Sequence, residues 1–328
     1  MRILVTGGAG FIGSHFVREL LANHYPRWTD THVTVLDKLT YAGNRDNLPA
    51  SHPRLEFVRG DICDHALLRE LLPGHDAAVH FAAESHVDRS LQGATEFFRT
   101  NVLGTQTLFD AAVAAGTPRV VHVSTDEVYG SLAEGSWTED MALLPNSPYA
   151  ASKAASDLVA RAYWRSHGLD VSVTRCSNNY GPYQHPEKLI PLFVTNLLEG
   201  RPVPLYGDGR NVREWLHVDD HCRGIALVLD GGRAGEVYNI GGGNEHTNLE
   251  ITHQLLELLG AGPEMIRRVA DRQGHDLRYS VDETKIREEL GYAPAIGFTR
   301  GLADTVDWYR DHPDWWKPAK HPAEDGAG

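Results

Sequence analysis

Short apolar runs alternate with longer amphipathic segments through the first half of the chain. Each run has the length of a buried strand, and the segment after it places apolar residues at helical spacing. The predicted strands cover residues 3–5, 33–36, 55–58, 77–80, 120–123 and 171–174, and helices are expected to begin near Phe11, Asp64, Ala94 and Pro148. Because strands that alternate with helices form a parallel sheet with helices on both faces, the pattern predicts an α/β fold with a doubly wound parallel sheet.

The pattern changes after residue 175. Prolines and glycines recur between residues 181 and 209 and divide the chain into short pieces. Long irregular segments in a compact fold are usually functional or disordered, and the tyrosines, asparagines and helix-like residues 189–193 favour an ordered substrate-binding lobe. Residues 217–229 are predicted to be helical, and residues 237–240 to return to the sheet as a strand.

Composition and charge exclude several classes of partner. The chain has 328 residues and a formal net charge of −13, which argues against a nucleic-acid groove or an anionic membrane surface. Its three cysteines stand at unrelated spacings, which argues against a disulfide framework and favours a reducing cytoplasm. Met1 leads directly into the first predicted strand and no apolar run reaches about 18 residues, so we expect a soluble cytoplasmic protein without a signal peptide.

A glycine-rich motif joins the first predicted strand to the first helix. Residues 8–13 read GAGFIG, which satisfies G-x-G-x-x-G in the context of strand, turn and helix that a dinucleotide site requires. The glycines permit a tight turn, so that a pyrophosphate can bind the free N–H groups at the start of the helix. Together with the alternating pattern, this motif predicts a Rossmann-like sheet.

Asp37 stands 24 residues after Gly13, at the end of the second predicted strand. A carboxylate there can bind both ribose hydroxyls and repel a 2′-phosphate, which favours NAD over NADP. Lys38 follows directly, and its positive charge can weaken the preference for NAD over NADP.

The ends of the third and fourth predicted strands lie at the same edge of the sheet. We expect Asp61 and Ile62 to contact the adenine. Phe81, Ala82 and Ala83 follow the fourth strand, where small residues allow the backbone to approach the cofactor.

Tyr149 and Lys153 lie four residues apart on a predicted helix, so their side chains share one face. A tyrosine pKa of about 10 is too high for a base at neutral pH, and a nearby ammonium together with a positive nicotinamide would lower it. Lys153 can also hold the nicotinamide ribose. Ser124 and Thr125, at the end of the preceding strand, can lend a hydroxyl to the same substrate oxygen.

Asp126 and Glu127 are adjacent at the carboxyl end of that strand. Neighbouring carboxyl groups tend to separate in pKa, which leaves one protonated as an acid and one ionised as a base. A dehydrogenase that moves only a hydride needs one proton acceptor, so this pair indicates that water is also removed or added.

Several longer strings carry a resemblance over nearly the whole chain. They are LTYAGN at residues 39–44, HFAAESHVDRS at 80–90, STDEVYG at 124–130, NNYGPY at 178–183, PEKLIP at 186–191 and DRQGHD at 271–276. With these strings the chain resembles the extended short-chain dehydrogenases/reductases, and more narrowly the nucleotide-sugar 4,6-dehydratases that act on deoxythymidine-diphosphate glucose (dTDP-glucose). The residue at position 273 often differs among such enzymes, and Gln273 bears only on fine substrate contacts.

The resemblance implies a lyase that recycles NAD and converts dTDP-glucose to dTDP-4-keto-6-deoxyglucose and water. Tyr149 would take the C4 hydroxyl proton while NAD takes the C4 hydride, Glu127 would remove the C5 proton, Asp126 would protonate the departing C6 hydroxyl, and the hydride would return to C6. Thr125 and Lys153 complete the expected catalytic set.

The resemblance also extends the predicted binding sets. The expected cofactor residues are Gly7, Gly10, Phe11, Ile12, Gly13, Asp37, Lys38, Leu39, Thr40, Asp61, Ile62, Phe81, Ala82, Ala83, Ser85, Thr100, Tyr149, Lys153 and Asn179. The expected substrate residues are Ser85, Thr125, Asn178, Lys188, Leu189, Pro204, Leu205, Tyr206, Arg213, Asn248, Asp271, Arg272, Gln273, Gly274 and His275. Lys188 and Arg213 are plausible diphosphate clamps in an acidic protein. The histidines show no metal-ligand spacing, and no metal is expected.

We predict two domains and a tail. The NAD-binding domain would comprise residues 1–177 and 216–240, the sugar-nucleotide domain residues 178–215 and 241–317, and the flexible tail residues 318–328. We also expect a homodimer built on the predicted helices at residues 94–115 and 148–167, whose alanines would let helices approach closely.

Two other functions are compatible with part of the sequence. A nucleotide-sugar epimerase or decarboxylating dehydrogenase of the same superfamily would keep the glycine motif, Tyr149 and Lys153, yet would not need both Asp126 and Glu127. A non-catalytic NAD-binding sensor or scaffold is a different class, and the intact set of catalytic residues argues against it.

Overall fold

A computed structural model describes residues 1–272 and 274–321 of the chain. Its strands are β1 Arg2–Thr6, β2 His32–Asp37, β3 Leu55–Arg59, β4 Ala77–His80, β5 Val120–Thr125, β6 Val171–Cys176, β7 Asn178–Tyr180, β8 Val203–Tyr206, β9 Val212–His217, β10 Val237–Ile240, β11 Glu245–Thr247 and β12 Ile266–Val269. Its α-helices are α1 Phe11–Leu21, α2 His65–Leu71, α3 Val87–Gln92, α4 Thr95–Phe98, α5 Thr105–Ala115, α6 Pro148–His167, α7 Leu189–Leu198, α8 Val218–Gly231, α9 Asn248–Leu259, α10 Thr284–Leu290, α11 Phe298–Asp311 and α12 Pro313–Lys320. None of these helices is long and apolar enough to cross a membrane.

Seven parallel strands form the main sheet in the order β10-β6-β5-β4-β1-β2-β3. This confirms the predicted α/β fold with a Rossmann-like, doubly wound sheet. The strand order reverses between β1 and β4, which pair from Ile3 opposite Ala77 to Thr6 opposite His80. Ligands of open α/β sheets bind at such a reversal, beyond the carboxyl ends of the strands.

Apolar side chains on both faces of the sheet hold the helices against it. Ile3 and Val5 of β1 join the core cluster that contains residues of α1 and α8, whereas Leu4 points to the opposite face and joins residues of α2, α5 and α6. Because successive side chains of a strand alternate between faces, one uninterrupted apolar run serves both layers.

The segment at residues 94–115 is not one regular helix. A π-helical turn, Arg99–Gly104, separates α4 from α5, although Phe97, Asn101, Leu108 and Ala112 are all buried as their spacing predicts. Asn101 lies in this turn, donates to Ser152 Oγ at 2.8 Å and accepts from the Glu84 N–H at 2.8 Å. The wider turn therefore ties α6 to the loop that follows β4.

A smaller lobe contains a three-stranded sheet in the order β11-β9-β7 and a two-stranded sheet of β8 and β12. Its own apolar cluster includes Ile190, Phe193 and Trp215. The main sheet gives way to the small sheet between Cys176 and Asn178, close to the first predicted domain boundary. The division into two domains at the stated boundaries stays a prediction.

The predicted flexible tail begins too early. Residues 318–320 belong to α12, and Lys320 Nζ donates to Thr195 Oγ1 at 2.8 Å and to Asn196 Oδ1 at 2.7 Å. These contacts with α7 hold the end of the helix in place. Residues 322–328 lie outside the described part of the chain.

Candidate active site

One cleft at the carboxyl edge of the main sheet brings most of the predicted motifs together. It encloses about 300 Å³, and residues from the turn after β1, the ends of β2 to β5 and the start of α6 line it. The predicted site residues in its wall are Gly7, Gly10, Phe11, Ile12, Gly13, Asp37, Lys38, Thr40, Asp61, Ile62, Phe81, Ala82, Ala83, Ser85, Thr100, Thr125, Asp126, Glu127, Tyr149, Lys153, Asn178, Asn179 and Lys188.

The glycine turn has no room for side chains. Gly7 adopts a left-handed φ of 69°, and a Cβ atom there would lie 2.5 Å from the backbone nitrogen of Ala82. A Cβ atom on Gly13 would lie 2.4 Å from the Gly7 carbonyl oxygen. No side chain caps the N-terminus of α1, which starts at Phe11. Its first N–H groups are thus available to an anion, and the turn fits the pyrophosphate of a dinucleotide.

Asp37 is held by the backbone on both sides. Its Oδ2 accepts from the Ala9 N–H at 2.9 Å, and its Oδ1 accepts from the Leu39 N–H at 2.8 Å. Burial raises the pKa of this carboxyl, while the two N–H groups oppose that rise. Leu39, an expected cofactor residue, does not line the cleft: its N–H fixes Asp37, and its side chain packs against the core.

Lys38 is paired with Asp61. Its Nζ lies 2.9 Å from Asp61 Oδ2, and the Asp61 Oδ1 accepts from the Cys63 N–H at 2.9 Å. Burial raises the pKa of Asp61, but hydrogen bonds from Cys63 and Lys38 outweigh it, and the pKa lies below its usual value. The ammonium that was expected to soften the discrimination against NADP is therefore already engaged by a carboxylate.

Tyr149 and Lys153 are both buried on the first turns of α6. Lys153 Nζ donates to the Val123 carbonyl at 2.8 Å, and burial lowers its pKa to about 8 although the charge of Asp157 opposes this. The pKa of Tyr149 is raised by burial and by the negative charge of Glu127, while a hydrogen bond with Thr125 opposes the rise. The protein's own groups thus do not lower the pKa of Tyr149, and its lowering by Lys153 together with a positive nicotinamide stays a prediction.

Asp126 and Glu127 open a short 3₁₀ turn, Asp126–Tyr129, directly after β5. Burial and the charges of Glu127 and Glu214 raise the pKa of Asp126 far above its usual value. Burial also raises the pKa of Glu127, but Lys188 and Arg213 oppose this rise. The protonated form is therefore favoured more strongly at Asp126 than at Glu127, which separates the two carboxyls in the sense that an acid beside a base requires.

Two cations of the small lobe lie close to the carboxyl pair. Lys188 Nζ donates to the Ser85 carbonyl at 2.8 Å and thereby spans the cleft. Arg213 donates to the carbonyls of Val212 and Asp276 at 2.7 and 3.0 Å. The guanidinium also lies over the ring of Tyr279, 4.2 Å from its centre.

The other predicted substrate residues that the structure describes lie outside the wall of the cleft. Leu189 begins α7, Asn248 begins α9, and the other described members lie on β8, on β9 or in the loop after β12. They are Pro204, Leu205, Tyr206, Arg213, Asp271, Arg272, Gly274 and His275. Gln273 lies outside the described residues. Arg272 Nη2 donates to Asp88 Oδ2 of α3 at 2.8 Å, which ties this loop to the main domain.

Several residues at the mouth of the cleft were not among the predicted site residues. Tyr41, His185 and Glu187 line it. The guanidinium of Arg89 lies 4.0 Å from the centre of the Tyr41 ring and donates to Glu187 at 3.1 Å. All of these except His185 fall within the strings that carried the resemblance, and this was the available signal.

One group outside the wall of the cleft has ligand atoms suited to a metal. His15, Glu19 and Asp219 each offer one atom, and these atoms lie within 4.8 Å of one another. Glu19 is already bound to His24, and Arg223 lies 3.7 Å from Asp219. These neighbours oppose a cation, and we infer no metal site.

Comparison with known proteins identifies the family. The chain matches the family described as GDP-mannose 4,6 dehydratase over residues 4–305. A dTDP-glucose 4,6-dehydratase of Streptomyces niveus is 62% identical over 99% of this chain and 97% of its own. A dTDP-glucose 4,6-dehydratase of Mycobacterium tuberculosis is 48% identical over 99% of this chain and 98% of its own.

Two solved structures relate the fold to chemistry. The dTDP-glucose 4,6-dehydratase DesIV from Streptomyces venezuelae, solved with NAD and TYD bound, has a TM-score of 0.96 and 68% identity and covers 97% of this chain and 100% of its own. A UDP-glucose 4-epimerase from Thermotoga maritima, solved with UDP-glucose, has a TM-score of 0.88 and 31% identity over 95% of this chain and 99% of its own. This chain therefore belongs to the GDP-mannose 4,6-dehydratase family, and within it to the dTDP-glucose 4,6-dehydratases.

Proposed function

We propose that the protein converts dTDP-glucose to dTDP-4-keto-6-deoxyglucose and water with a tightly bound NAD. The observation that carries this proposal is the turn at the end of β5, where the adjacent carboxyls of Asp126 and Glu127 line the same cleft as Tyr149. Cations beside Glu127 oppose the rise in its pKa, whereas the charge of Glu127 adds to the rise in the Asp126 pKa. An epimerase needs no such acid and base, and the epimerase named above is 31% identical, against 62% and 68% for the two Streptomyces dehydratases.

The cleft fits NAD. The turn from Gly7 to Gly13 would hold the pyrophosphate, Asp37 the adenosine ribose and Lys153 the nicotinamide ribose, and Thr100 and Asn179 also line the wall. When bound, NAD supplies the acceptor for the hydride from C4 and its later donor to C6.

The protein's own residues would move the protons. Tyr149 would accept the proton of the C4 hydroxyl, with the Thr125 hydroxyl beside it. The resulting ketone acidifies C5, so Glu127 would take the C5 proton while Asp126 gives its proton to the C6 hydroxyl, which leaves as water. Glu127 would then return its proton to C5. Over one catalytic cycle, Tyr149 would thus gain one proton and Asp126 would lose one.

Thr125 connects the two groups that must be reset after each cycle. Its hydroxyl donates to Asp126 Oδ1 at 3.2 Å and lies close enough to Tyr149 to oppose the rise in the Tyr149 pKa. A proton leaving Tyr149 therefore has a short path to Asp126, where burial favours the protonated form.

Residues of the small lobe would hold the diphosphate and the sugar. Lys188 and Arg213 place two positive charges beside Glu127, which suits an anionic substrate in a protein of net charge −13. The buried Oδ1 atoms of Asn178 and Asn248 have no hydrogen-bond partner among the described residues. Such unpaired acceptors favour a polar ligand, and the other predicted substrate residues remain part of the proposed set.

We also propose a homodimer in the cytoplasm. Phe98, Leu103 and Leu158 are 43%, 50% and 57% exposed on the segments predicted to form the interface, and an apolar surface of this kind favours a protein partner. Several alanines of these segments are buried within the protomer and are not available to an interface: Ala111, Ala112, Ala150, Ala154 and Ala160. The three cysteines are unpaired, which supports a reducing compartment.

The test is turnover without added cofactor or reductant. Purified protein is incubated with dTDP-glucose, and with UDP-glucose and GDP-mannose as controls, while 4-keto-6-deoxy product and bound dinucleotide are measured. We expect NAD released by denaturation to match the protein in amount, and product to form with dTDP-glucose. Accumulation of NADH in proportion to product, or product from UDP-glucose alone, would contradict the proposal.

A further inference from the structure

Trp315 of the C-terminal helix α12 reaches the glycine turn through a single intermediate residue. Its indole Nε1 donates to Asn47 Oδ1 at 2.8 Å, and Asn47 Nδ2 donates to the Ala9 carbonyl at 2.9 Å. Asn47 is 2% exposed. A helix that follows the last strand by many residues thus contacts the turn proposed to bind the pyrophosphate.

The chemistry of the two outer partners fixes the orientation of the Asn47 amide. An indole N–H can only donate and a carbonyl oxygen can only accept, so the amide must turn its oxygen to Trp315 and its nitrogen to Ala9. Without the indole donor, the Asn47 amide could also adopt the flipped orientation, in which its oxygen faces the Ala9 carbonyl. Trp315 therefore acts on the glycine turn by determining that the Asn47 amide nitrogen, and not its oxygen, faces the Ala9 carbonyl.

The backbone of Ala9 links this contact to Asp37. Its carbonyl accepts from Asn47 and from the Asn44 N–H at 3.0 Å, while its N–H donates to Asp37 Oδ2 at 2.9 Å. The two groups belong to successive peptide planes that meet at the Ala9 Cα, so a shift of this residue at its carbonyl reaches its N–H through that atom. The position of the carboxylate proposed to hold the ribose thus depends on the Asn47 amide.

A second contact joins the same elements. Arg18 of α1 donates to the Asn47 carbonyl at 2.6 Å, and its guanidinium lies 4.2 Å from the centre of the Tyr183 ring. That ring packs on Trp308 and Trp315 at 4.6 and 5.5 Å between centres. The aromatic cluster of Tyr183, Trp308 and Trp315 therefore supports both the first helix and the residue that holds the turn.

We propose that Trp315 is a positioning residue for the dinucleotide, which it serves by orienting the Asn47 amide against the Ala9 peptide and hence Asp37. This inference rests on the proposed function, because it assumes that the turn binds NAD. With this role, the affinity for NAD and the preference for NAD over NADP depend on the C-terminal helix, although Trp315 does not line the cleft.

Trp315→Phe tests the proposal, since it keeps an aromatic ring in the cluster and removes the N–H. Trp308→Phe is the matched control: Trp308 packs in the same cluster but its indole makes no hydrogen bond to the turn. Release of bound NAD is followed by exchange with labelled NAD, and affinities for NAD and NADP are measured on stripped protein. Thermal stability and kcat at saturating NAD are recorded for each variant.

We expect Trp315→Phe to release NAD about three to ten times faster than wild type, the effect of losing one hydrogen bond, and to narrow the preference for NAD. Its kcat at saturating NAD should stay within about two-fold of wild type, and Trp308→Phe should release NAD at the wild-type rate. Asn47→Asp, which offers the Ala9 carbonyl only acceptor oxygens, should act in the same direction, and it decides the matter if Trp315→Phe does not fold.

Equal release rates for wild type and Trp315→Phe, or an equal effect of Trp308→Phe, would overturn the positioning role. A folded Asn47→Asp that retains NAD like wild type would do the same. These outcomes differ from failure of the proposed function, in which wild-type protein itself would hold no NAD.

Discussion

The Thr125 hydroxyl donates to Asp126 Oδ1 at 3.2 Å and lies close enough to Tyr149 to influence its pKa. One hydroxyl thus lies between the group proposed to gain a proton in each cycle and the group proposed to lose one. The same oxygen accepts from the Glu127 N–H at 3.3 Å, so Thr125 also shapes the turn that carries the carboxyl pair.

Replacing Thr125 by Val should slow later turnovers more than the first. The variant keeps the branched shape but removes the path from Tyr149 to Asp126, so the first cycle starts from correctly protonated groups and the next must wait for solvent. Rapid-quench measurement of product would show a burst followed by a slower steady state. Thr125→Ser keeps the hydroxyl and should show the wild-type time course. An equal slowing of the first and later turnovers in Thr125→Val would contradict a proton path through Thr125.

Tyr149 and Asp126 should affect different steps. Tyr149→Phe removes the acceptor of the C4 hydroxyl proton, so neither reduced cofactor nor product should form. Asp126→Asn still permits oxidation but removes the acid for the leaving hydroxyl, so reduced cofactor should accumulate while product formation falls by about 10²–10⁴. Stopped-flow absorbance of the reduced nicotinamide separates these outcomes. If Asp126→Asn and Glu127→Gln both dehydrate within a few-fold of wild type, the two-carboxyl assignment is wrong.

The sequence predicted the main sheet well because its strands are buried on both faces and separated by amphipathic helices. All six early strands and the later one at residues 237–240 lie where the apolar runs indicate. Short elements of the small lobe, such as β7 and β11, escaped prediction because three residues carry too little periodicity. The π turn at Arg99–Gly104 was also missed, since one widened turn leaves the apolar spacing nearly unchanged.

The cleft was predictable where each motif ends a strand, because parallel strands bring their carboxyl ends to one edge. Contacts between side chains that are distant in the sequence could not be predicted in this way. No pattern in the sequence shows that Asp61 binds Lys38 or that Trp315 reaches Asn47, because such pairs depend on how the loops fold over the sheet. The burial of Tyr149 and its closeness to Glu127, which raise its pKa in the protein alone, are likewise three-dimensional facts that the sequence does not show.

Asp37→Ala should weaken NAD binding and reduce the difference between the affinities for NAD and NADP. The substitution removes both the acceptor for the ribose hydroxyls and the repulsion of a 2′-phosphate. Lys38 should help NADP little in this variant, because Asp61 holds its ammonium at 2.9 Å. The double variant Asp37→Ala, Asp61→Asn frees that charge and should bind NADP more tightly than Asp37→Ala alone. Titration of stripped protein with each dinucleotide measures this, and equal wild-type affinities would contradict the role of Asp37.

Leu158→Glu should weaken the proposed dimer. Leu158 is 57% exposed on α6, and a charge there would have to be buried in an interface without a partner. Leu258→Glu provides a control, since Leu258 is an exposed leucine of α9 in the small lobe. Sedimentation at micromolar concentration should give a dimer for wild type and Leu258→Glu and a larger monomer fraction for Leu158→Glu. A monomeric wild type would end the proposal.

The carboxyl of Asp126 should make the protein less stable at neutral pH than a neutral amide would. Burial and the charges of Glu127 and Glu214 raise its pKa in the folded state, whereas the unfolded chain ionises near pH 4. Between these values the folded state binds more protons than the unfolded state, so the carboxyl's contribution to stability falls as pH rises. The loss is at most about 1.4 kcal/mol per pH unit.

Asp126→Asn should therefore unfold at higher urea concentration than wild type at pH 7, and its advantage should shrink as the pH falls toward 5. Glu127→Gln is the informative comparison, because Lys188 and Arg213 oppose the rise in the Glu127 pKa and would lose a counter-charge in the variant. It should gain less stability, or none. Urea unfolding of NAD-saturated proteins between pH 5 and 8 measures both differences. An Asp126→Asn advantage that did not change with pH would mean that the carboxyl is ionised in the folded protein, and Asp126 would then be unsuited to protonate the C6 hydroxyl.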